Sequence, residues 1–185
     1  LIAATPDMPP LYLRESDYEK MEEKFWKHRE ELLLPPPDPQ HEPEKFEQTL
    51  AELKTAFLLY SWISEEKEEA IHRAFGVGAG DIRRFAETAE WLLHAAHELA
   101  RSFKARSALT PLRKLQLMVR HGVREELLEL VSLRGIGRVR GRSLFEAGYR
   151  SLRDLERATE AELAEVPFIG KEIAREIKEQ LRSGI

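Results

Sequence analysis

The chain of 185 residues contains no cysteine. That excludes a disulfide-stapled secreted scaffold and any thiolate metal site, and it points to a reducing, cytoplasmic setting. No apolar run approaches the roughly 18 residues needed to span a bilayer, and no signal-peptide pattern opens the chain, so no membrane partner is expected. His28, His41, His72, His94, His97 and His121 lack the spacing of a metal site. A phosphate-cradling loop is missing as well. Gly76-Val-Gly-Ala-Gly-Asp81 has the glycines but neither the lysine nor the hydroxyl that hold phosphate and magnesium. The residues therefore assign no catalytic group, no metal and no cofactor to this chain. It begins at Leu1 rather than methionine, as expected of a piece of a longer protein.

The net charge is -4 and the pI about 5.9, values that taken alone argue against a nucleic-acid partner. The distribution argues otherwise. Residues 1–100 carry 11 Lys and Arg against 21 Asp and Glu, whereas residues 101–185 carry 18 against 12. Within the basic part, Arg134, Arg138, Arg140 and Arg142 fall in nine residues that contain no acid. Arginine's planar fork matches phosphate oxygens better than lysine's point charge does. An isolated charge run is usually a solvated helix face, but four arginines beside glycines are less ordinary.

Strand signals are scarce. Leu11–Leu13 reads as extended, and residues 1–15 as residual linker from a preceding domain. Ser16 is expected to cap a helix carrying Tyr18, Met21, Phe25, Trp26 and Leu32 at helical spacing. Pro35–Pro37 stop it, and residues 34–43 form a proline-rich loop. A second helix is predicted over Glu44–Ile63 and a third over Glu65–Phe75. Asp81 caps a long helix reaching Phe103. Thr110-Pro111 reads as N-cap and first helical position, opening short helices over Pro111–Val119 and Arg124–Ser132. A compact module then repeats helix, turn and helix, with a Thr159-x-x-Glu162 capping box between the copies. The fold class is all-α: a helical bundle over 1–125, followed by a small helix-hairpin-helix domain over 126–185.

Two constellations could carry function. In Leu133-Arg-Gly-Ile-Gly-Arg-Val-Arg-Gly-Arg, Gly135 and Gly137 bracket Ile136 in a tight turn that aims a helix N-terminus outward. Its unpaired N–H groups can hold a phosphate oxygen, Ile136 plugs the turn into the core, and Arg138, Arg140 and Arg142 can grip neighbouring phosphates. Val166-Pro-Phe-Ile-Gly-Lys171 resembles a second copy, but Phe168 replaces the first glycine. That departure leaves open whether Lys171 contacts phosphate or the second hairpin is purely structural. On the long helix, Ile82, Phe85, Ala89, Leu92, Leu93 and Ala96 form one apolar face. Arg84 and Trp91 lie nearly in line off its centre, where each could stack on a nucleobase. The pattern alone favours a packed Trp91, because tryptophan is highly buried on average.

Leu50-Ala-Glu-Leu-Lys-Thr-Ala-Phe-Leu-Leu, Gly76-Val-Gly-Ala-Gly-Asp-Ile-Arg-Arg, Glu87-Thr-Ala-Glu-Trp-Leu, His121-Gly-Val-Arg-Glu-Glu-Leu and Arg134-Gly-Ile-Gly-Arg-Val-Arg together resemble archaeal Hjm-type DNA helicases. These are superfamily 2, Ski-like enzymes. The resemblance covers essentially the whole chain and implies its C-terminal position in a 3′-to-5′ helicase of forks and branched DNA. It implies that residues 1 to about 125 are the ratchet domain, with Arg84 and Trp91 stacking on bases of the translocating strand. It also matches Arg138, Arg140 and Arg142 to the family's basic contacts, in a final domain viewed as a brake on unwinding. ATP and magnesium would act in the parent protein, outside this chain. Gly141 stands where relatives tend to carry alanine, which should loosen the start of its helix slightly.

Single-stranded and forked DNA are the expected partners, with single-strand-binding or other fork-repair proteins beside them, and the chain is expected to be a monomer. The alternative is a protein-interaction module docking on replication or repair partners. A helix-hairpin-helix glycosylase would need a catalytic aspartate. Asp154 is the one candidate, and as the fourth residue of Ser151-x-x-Asp it reads as a helix cap.

Overall fold

Apolar residues at helical spacing build the architecture, which the computed structural model describes for residues 1–183. Among the described residues there are nine α-helices and no strand. The bundle comprises α1 (Glu15–His28), α2 (Pro43–Ile63), α3 (Glu68–Phe75), α4 (Ala79–Ser102) and α5 (Arg106–His121). Four further helices follow: α6 (Arg138–Glu146), α7 (Leu152–Arg157), α8 (Glu160–Ala164) and α9 (Gly170–Ser183).

The two groups of helices bury separate cores. Leu58, Ile71, Phe75, Ile82, Phe85, Leu93 and Val119 pack together in the first, and Met21, Phe25, Phe46 and Leu50 fill the space between α1 and α2. The second core begins at Val123 and runs through Leu127, Leu133, Ile136, Leu144, Leu163 and Ile177. The change from one core to the other falls between Val119 and Val123.

Several local expectations change. Residues 1–15 are not a tether, because Ala3, Met8 and Leu11 are buried. The Leu11 N–H donates to Thr55 Oγ1 at 2.8 Å. Buried Lys54 donates to the Tyr12 carbonyl at 2.8 Å and to Asp17 Oδ2 at 2.6 Å. Burial alone would raise the Asp17 carboxyl, yet the Lys54 ammonium and the Arg14 N–H hold it below the ordinary range. Asp17 reaches back to that Arg14 N–H, so the chain enters α1 at Arg14 rather than at Ser16. Asp81 likewise caps α4 from its third position, accepting from the Gly78 N–H at 3.1 Å.

The helix expected to open at Pro111 begins five residues earlier, at Arg106. Lys104 adopts a left-handed φ of 57°, and the Ala105 N–H closes on the Ala100 carbonyl at 2.8 Å. The chain therefore reverses directly into α5, and packing along α4 outweighs the hydrogen bond lost at exposed Pro111. Residues 124–132 form two short 3₁₀ turns, Glu125–Leu127 and Leu130–Ser132, instead of one helix.

Gly122 ends α5 with φ 63°, and a Cβ there would sit inside the indole of Trp62. Trp62 Nε1 donates to the Val119 carbonyl at 2.8 Å, which fixes that ring at the junction of the two cores. Gly122→Ala combines left-handed strain with overpacking, so it should destabilise the protein by about 2–4 kcal/mol in a denaturant titration.

Candidate nucleic-acid interface

α4 turns its apolar face inward and leaves a stripe outside. Ile82, Phe85, Ala89, Leu92 and Leu93 are buried. Trp91 is 57% exposed, so the packed reading of this tryptophan does not hold. Arg84 lies seven residues before it, about 10 Å away along the axis and nearly in register. The Arg84 guanidinium, whose side chain is 67% exposed, meets Asp81 at 3.1 Å in a surface ion pair. Such pairs contribute little and are readily exchanged for another partner.

The first hairpin has the geometry that its glycines suggest. Gly135 takes φ 81°, Ile136 is buried, and the Ile136 N–H donates to the Leu133 carbonyl at 3.1 Å. Gly137 is the N-cap of α6 and no side chain caps that end, so its first N–H groups remain available to an anion. Gly141 is not merely permissive. A Cβ there would lie 3.1 Å from Val131 Cγ1, so glycine permits close packing of α6 on the turn before it.

The second hairpin repeats the first only in part. Val166 and Ile169 are buried as Leu133 and Ile136 are, and the Ile169 N–H donates to the Val166 carbonyl at 3.1 Å. Phe168 adopts φ 66°, the left-handed conformation that Gly135 adopts in the first copy. Gly170 is left-handed as well, with φ 58°, whereas its counterpart Gly137 is extended. The helix entry at α9 thus differs from that at α6. Lys171 is exposed in the first turn of α9.

The three arginines do different work. Arg140 ties the hairpins together, donating from Nε to the Phe168 carbonyl at 3.0 Å and from Nη1 to the Gly135 carbonyl at 2.8 Å. Its remaining N–H groups are uncommitted to either carbonyl. Arg138 lies over the Trp62 ring at 4.8 Å and donates to the Glu66 carbonyl. Burial lowers its pKa from the usual arginine value. Arg142 is held most firmly. Its Nε and Nη2 grip Glu65 at 2.7 Å each, and Nη2 also meets Glu126 at 2.9 Å. The hydrogen bonds it donates to Glu65 raise the Arg142 pKa further above its ordinary value. Arg142, expected to neutralise phosphate, is occupied by two carboxylates at the junction of the two cores.

Three supporting residues escape the sequence pattern. Glu65 takes an uncommon φ of 64° and accepts from the Arg124 N–H at 2.9 Å besides holding Arg142. Gln180 brackets the Arg134 backbone, accepting from its N–H at 2.8 Å and donating to its carbonyl at 3.0 Å. Trp62 supplies the platform for Arg138. Each acts across at least 46 residues of chain, so local periodicity carries no trace of it. Asp154 accepts from the N–H groups of Arg150 and Ser151 and from Ser151 Oγ at 2.8–3.0 Å, which is helix capping.

The glycine cluster joins two helix ends. Gly76 closes α3 with φ 69° against the Arg14 guanidinium, and Gly78 opens α4 with Asp81 on its N–H.

The family model described as archaeal helicase, domain 4, matches residues 1–122, and that described as a SAM-like helix-hairpin-helix tandem matches residues 127–183. A protein of Methanocella arvoryzae named ATP-dependent DNA helicase Hel308 is 41% identical over 181 residues, covering 98% of this chain and 24% of that protein. Proteins of the same name from Caldivirga maquilingensis and Thermococcus kodakarensis are 38% and 40% identical. They cover 97% and 98% of this chain, and this chain covers 24% and 16% of them. The chain therefore spans about a quarter or less of the length of these relatives.

Burial would raise the Glu65 carboxyl, but the hydrogen bonds from Arg142 and the Arg124 N–H together hold it below the ordinary value. A depressed folded-state pKa stabilises fully above the unfolded value, about 4.3, and the contribution is lost as pH falls through the folded value. The stability advantage of the wild type over Glu65→Gln should therefore be constant from pH 7 to about 5, begin to fall near the unfolded value of about 4.3, and disappear only once the pH has dropped past the depressed folded value. Paired thermal melts across that range check this.

Proposed function

The chain belongs to the archaeal helicase domain 4 family, and from that premise we propose that it is the C-terminal, DNA-handling part of an ATP-dependent 3′-to-5′ helicase acting on forked and branched DNA. The observation that carries the proposal is the exposed Arg84–Trp91 stripe on a helix that buries Ile82, Phe85, Ala89, Leu92 and Leu93 on its other side. An indole and a guanidinium about two turns apart can each stack on a base of one strand. Because every base offers a π-face, such contacts tolerate any sequence and can be exchanged as the strand advances.

The surrounding bundle is acidic, so it adds little phosphate attraction and lets the strand slip between stacking contacts. Grip comes from the basic module. The open N–H groups at Gly137 and the uncommitted N–H groups of Arg140 face phosphate at the first hairpin, with Gly135 shaping the turn. Arg138 and Lys171 add charge at its margins. Arg142 belongs to the joint between the units instead. If the joint holds the basic module against the bundle, a strand leaving α4 meets a fixed set of cations, which suits a braking role.

ATP hydrolysis with magnesium would take place in the part of the parent protein that these 185 residues do not include. A second reading has one observation behind it. Leu33 and Leu34 are exposed beside Pro35–Pro37, an apolar edge that suits docking on a replication or repair protein.

Trp91→Ala should weaken binding of a single-stranded oligothymidylate about 5- to 100-fold, and Trp91→Phe should restore most of it. Because the ring is exposed, thermal stability should stay within about 0.5 kcal/mol of wild type. Fluorescence anisotropy with a labelled oligonucleotide measures the affinity. Equal affinities for wild type and Trp91→Ala would remove the stacking role.

A further inference from the structure

We propose that Phe168, at the tip of the second hairpin, is an additional stacking site for an unpaired nucleobase. The inference rests on the single-strand-binding reading above and adds a contact outside α4. Phe168 holds a left-handed φ of 66°, a conformation that glycine adopts freely and a side-chain-bearing residue adopts at a cost. Gly135 fills the equivalent position of the first hairpin. The phenyl ring does not repay that cost through packing, since the residue is 69% exposed. The residues that anchor the turn are its neighbours Val166 and Ile169, both buried. A strained aromatic that contributes nothing to the core is placed for something outside it.

The surroundings identify the occupant as part of a nucleic acid. Arg140 holds the Phe168 carbonyl and the Gly135 carbonyl with one guanidinium, so the tip of the second hairpin is joined to the anion-facing turn of the first. Lys171 is exposed three residues on, with Glu172 following it. A protein partner would want a continuous apolar field around the ring. Here the carbonyl of residue 168 is bonded to Arg140 and exposed Lys171 lies three residues on, a setting that suits a base stacked on the ring with its phosphates on the cations. Tying the tips together through Arg140 also limits the freedom lost when a strand engages both.

The test uses the full chain, a single-stranded oligothymidylate, and the variants Phe168→Gly, Phe168→Trp and Trp91→Ala. Phe168→Gly should raise the melting temperature by about 1–3 °C while weakening oligothymidylate binding about 5- to 50-fold. Phe168→Trp should bind as tightly as wild type. Irradiation of an oligonucleotide carrying 5-iododeoxyuridine should place a crosslink on residue 168. If Phe168→Gly binds like wild type while Trp91→Ala is impaired, the second site is wrong and the role of α4 survives. If Phe168→Gly loses stability and affinity together, the ring is structural and the proposal fails. Should wild type itself not bind single strands, the underlying reading fails with it.

Discussion

Glu65 and Arg142 form the contact on which the relation between the two helical units depends. The carboxylate and guanidinium meet through two parallel hydrogen bonds of 2.7 Å, 77 residues apart in the chain. A planar fork on a carboxylate fixes orientation as well as distance. Glu65 reaches this position only by adopting a left-handed backbone just after α2, and the same carboxylate accepts the Arg124 N–H where the second unit begins. Glu126 completes the cage around the guanidinium. Neighbouring contacts follow from it. Arg138, one turn before Arg142 on α6, is brought over Trp62, whose ring is itself set by the Val119 carbonyl and the absence of a side chain at Gly122. Removing Arg142 would leave the largely buried Glu65 carboxylate without its charged partner, which costs more than the pair contributes when intact.

This joint changes how the charge distribution is read. The overall net charge of -4 averages an acidic bundle and a basic tail. Splitting it by position reveals the basic tail, but position alone does not say which cations are available. Arg142 is consumed by two carboxylates, Arg138 is half-buried on an indole, and Arg140 spends part of its fork on hairpin carbonyls. Under the proposed function, grip on phosphate would then depend on fewer groups than the count of arginines suggests. On that same proposal, weak and exchangeable contact suits a moving strand, and the Glu65–Arg142 joint suits a module held in place beside it.

The all-α class, the long helix, its buried face and both hairpins were legible in the sequence. Each is encoded locally, in apolar spacing of three and four residues or in glycines flanking one isoleucine. Tryptophan composition misleads about Trp91, because average burial says nothing of which stripe a residue occupies on an amphipathic helix. The start of α5 at Arg106 was hidden because Pro111 reads as a beginning, while packing along α4 carries the helix through it. Residues 1–15 look like linker because their buried side chains, Ala3, Met8 and Leu11, are too sparse to form a periodic pattern. The fate of Arg142 could not be read at all: its partner is a glutamate in another unit, and no local rule links positions that far apart.

The central claim is that Arg142 joins the two units and does not neutralise phosphate. The most direct measurement is the salt dependence of single-stranded oligothymidylate binding by wild type and Arg142→Gln, both held well below their melting temperatures. Each phosphate contact on a single strand contributes about 0.7 to the slope of log affinity against log salt. The account predicts parallel lines for the two proteins. A slope shallower by about 0.7 in Arg142→Gln would mean that the arginine leaves Glu65 for the strand, and would contradict it.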